Sequence, residues 1–145
     1  MVDAMNTSYR LIEHKDYWII PLQGQTVSRC FLDTALGIEF WENESEITIR
    51  IEGGFLFKED GKEHKLYPDQ PAALGQALSI FQKEVCYSIA GKEGGLYIEF
   101  SDGGSLSVEA DSEYEAWEIV GSGGLRVVCE PGGRLSVWQP TSAED

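Results

Sequence analysis

The chain has 145 residues, 42% of them apolar and 11% aromatic. That is enough for one domain with a real core, and it excludes general disorder. Its 11 basic residues face 25 acidic ones, for a formal net charge of −14, which argues against nucleic acid and anionic membrane as partners, since both demand clustered Lys and Arg.

The chain-order reading starts with residues 1–8 as a flexible tail, and 140–145 read the same way around a globular domain at 9–139. The opening MVDAMNTSYR has no basic region followed by an apolar one, and no apolar run is long enough to span a bilayer. The expected location is therefore the cytoplasm. DYWIIPL and TVSRCFLD read as strands of ambiguous register between residues 9 and 34. In ALGIEFW, Leu36, Ile38 and Phe40 share one face, and in ITIRI so do Ile47, Ile49 and Ile51. That period of two marks half-buried antiparallel strands. GFLFKEDGKEHKLY predicts a hairpin turned at Asp60-Gly61.

PDQPAALGQALSIFQ predicts a helix over about 69–82, with Asp69 as N-cap and Pro71 in the first turn. Leu74, Ala77, Leu78 and Phe81 would form its apolar face. Strands then resume. LYIEFSDGGSLSV and LRVVCEPGGRLSV superpose without a gap, pairing Gly103-Gly104 with Gly132-Gly133. LGIEFWENESEITI reads as a looser third copy with a longer turn. The whole predicts an α+β fold, mostly antiparallel β, with about ten strands in hairpins. The sheet would be curled, two-layered or barrel-like, with the single helix covering one face.

Chemical motifs are sparse. The glycine pairs lie between strands, whereas a phosphate-cradling loop should run from a strand into a helix N-terminus. Cys30, Cys86 and Cys129 are far apart, form no CxxC pair and read as small buried hydrophobes. His14 and His64 stand in no HxH or HExxH pattern, so no metal site or cofactor is expected. A Cys30–His64–Asp33 arrangement can be drawn but has no local nucleophile signature, and no catalytic residue is assigned.

Three places stand out as candidate binding residues. Glu113, Glu115 and Glu118 surround Tyr114 and Trp117, an acidic and aromatic patch suited to a cationic protein surface. Asp33 interrupts two apolar segments and is expected to accept backbone N–H bonds in a turn, with Arg29 or Arg126 as its ion-pair partner. Trp138, with Val128, Trp41 and Trp117, suggests a second apolar face that must pack on the helix, on a second sheet or on another subunit.

LDTALGIEF together with EYEAWEIVGSGGLRVVCEPGGRLSVW resembles a family of small bacterial proteins of unknown function. Its LDxAL segment corresponds to Leu32, Asp33, Ala35 and Leu36, and its C-terminal segment to Tyr114 through Trp138. The likeness runs from about Gly24 to Trp138. It implies no activity, cofactor or site residue. The expected function is a protein-interaction module for a protein partner, basic in character and immunity-like, rather than an enzyme. A small-molecule-binding or enzymatic β domain with an aromatic pocket, and a homodimer through Trp138 and Val128, remain as alternatives.

Overall fold

The computed structural model describes residues 10–139; the two tails expected at 1–8 and 140–145 lie outside that range. Thirteen strands form two antiparallel sheets among the described residues. One sheet orders β1 (Ile12–Glu13), β2 (Tyr17–Ile19), β8 (Val85–Gly91), β9 (Leu96–Phe100), β10 (Ser105–Val108), β6 (Phe55–Glu59) and β7 (Lys62–Leu66). The other orders β13 (Leu135–Trp138), β12 (Arg126–Cys129), β11 (Trp117–Gly121), β5 (Ser45–Ile51), β4 (Leu36–Glu42) and β3 (Arg29–Leu32).

The alternating segments pack as their period requires. Ile47, Ile49 and Ile51 are fully buried, as are Leu36, Ile38 and Phe40 opposite them. Phe55, Phe57, Ile98 and Phe100 come from the other sheet into the same core. Each such side chain is worth about 1.5–3 kcal/mol of burial, so the inward faces of the two sheets hold each other.

The expected α+β class with a covering α-helix is wrong. The fold is predominantly β, and its sheets do not close into a barrel. Residues Pro71–Ile80 form a 3₁₀ segment with no side-chain cap; Asp69 does not cap it. Its buried residues are Leu74, Ala77 and Ile80, spaced by three, while Leu78 and Phe81 are 46% and 49% exposed. A 3₁₀ helix has three residues per turn, so that spacing puts one residue per turn inward. With Gly75 in the middle and no cap, little favours the α form, and tertiary packing sets the geometry. The segment is moored by Ser79 and Lys83. Both bond to the Glu59 carboxylate, at 3.0 and 2.8 Å, and Lys83 also reaches Asp102 at 2.8 Å.

The two copied hairpins match in their faces but not in their turns. Phe100 N–H donates to Gly104 O and Gly103 N–H to Phe100 O. In the second hairpin, Glu130 N–H donates to Arg134 O and Gly133 N–H to Glu130 O. Gly103 therefore corresponds to Gly133, not Gly132. Leu106 faces Ile98, whereas Leu135 faces Cys129 where the gapless match would give Val127. Because side chains alternate, that two-residue slide keeps Leu125, Val127, Cys129, Leu135 and Val137 packed in or against the core. The third copy, β4–β5, has a tighter turn than expected: Glu42 pairs with Ser45, leaving only Asn43 and Glu44, and Asn43 takes a φ of 58°.

The sheets meet at the β12–β13 turn. Gly133, at φ 106°, lies against the backbone of the β8–β9 turn, where a Cβ would run into the Glu93 carbonyl. On the other side, a Cβ at Gly94 would lie 2.7 Å from Gly133 Cα. Beside this contact, the buried Trp117 indole N–H donates to Gly94 O at 2.8 Å, and Cys129 Sγ lies 3.4 Å from the same oxygen. Near the ends of the described chain, the Gln139 side chain accepts from Leu11 N–H at 2.9 Å and donates to Leu11 O at 3.1 Å.

Gly133→Ala should cost more than about 3 kcal/mol in denaturant unfolding, because φ strain and a backbone clash add. Gly124→Ala, at φ 95° but with open space around it, should cost only about 1 kcal/mol. Equal losses would show that the Gly133 contact does not join the sheets.

Candidate functional site

The chain crosses between the sheets from β5 to β6 through Glu52, Gly53 and Gly54, and from β10 to β11 through residues 109–116. The two crossings run side by side, tied by Glu52 N–H donating to Ala116 O at 2.9 Å. The segment after β7 comes alongside and brings Tyr67 and Asp69. Where these three pieces meet is a cleft of about 640 Å³.

Two tyrosine rings and four carboxylates shape it. Tyr114 and Tyr67 lie over Gly53 and Gly54: a Cβ at Gly53 would be 2.6 Å from the Tyr114 hydroxyl, and one at Gly54 2.6 Å from the Tyr67 ring. Glycine at both positions is what lets the rings lie on the backbone. Partial desolvation, and then the neighbouring Asp111 carboxylate, push the Tyr114 phenol up, so it stays neutral at physiological pH.

The carboxylates Glu52, Asp69, Glu115 and Glu118 fall into two kinds. Glu52 is 3.5 Å from Arg50, and Glu118 is 3.3 Å from Arg126. Asp69 and Glu115 have no ion-pair partner among the described residues. A smaller hollow of about 220 Å³ shares Gly53, Gly54, Tyr67 and Tyr114. In it, Lys65 Nζ sits 5.9 Å from the Tyr67 ring centre, beside Glu109 and Asp111.

The structure places Tyr114, Glu115 and Glu118 of the sequence-predicted patch in the lining of the cleft. Glu113 is exposed next to it and donates its N–H to Asp111 at 2.8 Å. Trp117 is fully buried, part of the core beneath the cleft. Trp138 lies outside the cleft on edge strand β13, 52% exposed, with the Arg126 guanidinium 5.8 Å from its ring. Val128 is buried and Trp41 is exposed, so the four residues read as one outer apolar face do not form one. Sequence reasoning missed Glu52, Gly53, Gly54 and Tyr67, and gave Asp69 the role of a cap. The available signal was the Gly53-Gly54 pair between two alternating segments; that it marks a crossing rather than a hairpin shows only in the strand order.

The chain belongs to DUF6188, a family of unknown function. The family model matches residues 18–139. No curated protein and no solved structure matches the chain. The matched span takes in every residue of both hollows, as well as Leu32–Leu36 and Tyr114–Trp138, which carried the resemblance to an uncharacterised family.

Asp33 sits on the β3–β4 turn and accepts from Ala35 N–H at 2.9 Å, the turn role expected of it. Its ion-pair partner is Arg50 at 2.8 Å; Arg29 pairs instead with Glu39, and Arg126 with Glu118. Arg50 thus links Asp33 to Glu52 at the edge of the cleft. Neither Cys30 nor His64 hydrogen-bonds to the other or to Asp33 among the described residues, and burial pushes the Cys30 thiol up to about 11. That leaves no activated nucleophile in the trio.

The Arg50 hydrogen bond, followed by the Ala35 N–H, lowers the Asp33 carboxyl to about 2. The folded value lies below the unfolded one. The contribution to stability is therefore fully present above the ordinary carboxylate value of 3.8 and is lost as pH falls through about 2. A carboxyl-detected NMR titration should give Asp33 a midpoint near 2, and Arg50→Gln should return it toward 3.8. An unmoved midpoint in that variant would remove Arg50 as the cause.

Proposed function

We propose that this chain is a non-catalytic interaction module that captures a basic protein through the acidic, tyrosine-lined cleft, as an immunity protein captures its target. The observation that carries this reading is the cleft itself, where two exposed rings and four carboxylates converge on a crossing between the sheets. Tyrosine presents a large contact surface at small cost in conformational entropy, and interface hot spots favour it. The net charge of −14 adds long-range attraction for a basic partner, raising the encounter rate. The absence of a long apolar helix among the described residues fits an encounter in the cytoplasm.

The test is an affinity capture from the source cell at low and high salt, with bound proteins identified by mass. One stoichiometric basic partner, released at high salt, is the expected result. The triple variant Glu113→Gln, Glu115→Gln, Glu118→Gln should weaken that complex by tenfold or more, on the order of the ~1.5 kcal/mol or more measured for close interfacial charge pairs. A complex that survives the triple variant unchanged would overturn the reading.

A further inference from the structure

The two hollows flank one pair of rings, and among the described residues only the smaller one is lined by a cation. In the smaller hollow the Lys65 ammonium sits over Tyr67, with the Glu109 and Asp111 carboxylates lining the same space. The larger hollow offers the same chemistry, with Tyr67, Tyr114 and carboxylates, but no Lys, Arg or His among the described residues lines it. Its charge is not evenly available. Arg50 and Arg126 already neutralise Glu52 and Glu118 from the outer face of the sheet, whereas Asp69 and Glu115 stand without an ion-pair partner among the described residues.

We propose that the larger hollow receives a lysine or arginine side chain of the partner protein, held against the tyrosine pair by Asp69 and Glu115. This rests on the interaction reading above and names its anchor. The ring face attracts a cation through its quadrupole, and the two unpaired carboxylates supply the net charge that the arginine-bound pair does not. Gly53 and Gly54 set the depth, since any side chain there would lift the rings.

The probes are Nα-acetyl-arginine methylamide, its lysine counterpart, and the neutral citrulline analogue of the arginine compound. Each is titrated into ¹⁵N-labelled full-length chain and followed by amide shifts. The two cations should move the Gly53, Gly54 and Glu115 signals, and citrulline should leave them in place. Asp69→Asn with Glu115→Gln should weaken cation binding about tenfold, the scale of one ring-and-carboxylate contact. Both positions are exposed, so an unchanged spectrum elsewhere verifies the fold of the variant. Equal shifts with citrulline, shifts confined to other surfaces, no shift up to the solubility limit, or full binding by the double variant would each overturn the proposal. A basic partner still captured in full by the double variant would sink the anchor and leave the interaction reading standing. Cation binding in the cleft with no basic partner recovered from the cell would do the reverse.

Discussion

The hydrogen bond from the buried Trp117 indole to Gly94 O fixes how the two sheets sit on each other. Trp117 belongs to β11 in one sheet, and Gly94 to the β8–β9 turn of the other. A carbonyl buried at that junction needs a donor, because an unsatisfied buried acceptor costs about 1–3 kcal/mol. The indole supplies it, and the bulk of the ring also fills the core beneath the cleft. Gly133 and Gly94 then let the two turns touch backbone to backbone. The slid turn of the β12–β13 hairpin is the one that makes this contact. The turn that must meet Gly94 carries two consecutive glycines with positive φ, Gly132 and Gly133.

The cleft is a by-product of the same topology. A sheet pair that shares one core must pass its chain from sheet to sheet, and the passing segments have no ladder partner on both sides. Here two of them lie together and bond once, through Glu52 and Ala116. The seam leaves room for side chains that a continuous sheet would exclude. Polar and aromatic groups collect there because the neighbouring core faces are already closed by Ile51, Phe55, Ala116 and Trp117. The arginines on the outer face complete the arrangement, since Glu118 and Arg50 are cross-strand neighbours and Arg50 reaches both Asp33 and Glu52.

Much of this was legible in the residues. Period-two patterns placed β4, β5 and β9, and Asp60-Gly61 placed the β6–β7 hairpin turn, whose two residues take φ of 53° and 77°. The acidic and aromatic cluster at 113–118 fell at the cleft. What was not legible depended on distant parts of the chain. Leu74, Leu78 and Phe81 satisfy a helical pattern equally well, and only the core decides that Leu74, Ala77 and Ile80 go inward. Trp117 alternates like any strand residue, so its burial and its partner 23 positions away carry no local signature. Val128 looked outward by parity and is buried nonetheless. Tyr67 and Asp69 join the cleft only because the segment after β7 returns to the crossings, a matter of strand order that periodicity does not encode.

Gln139 grips both backbone groups of Leu11, which brings the two ends of the described chain together. One end leads to an edge strand of one sheet and the other leaves an edge strand of its neighbour. A pull applied between those ends would load two hydrogen bonds in a short clasp before any force reached the ladders. The same closeness means that a short peptide could join the ends and a new opening be cut at an exposed turn such as Asp60-Gly61, leaving the core and the cleft with their neighbours unchanged. The fold is in that sense a ring with a clasp, whose point of closure can be moved without redrawing what it encloses.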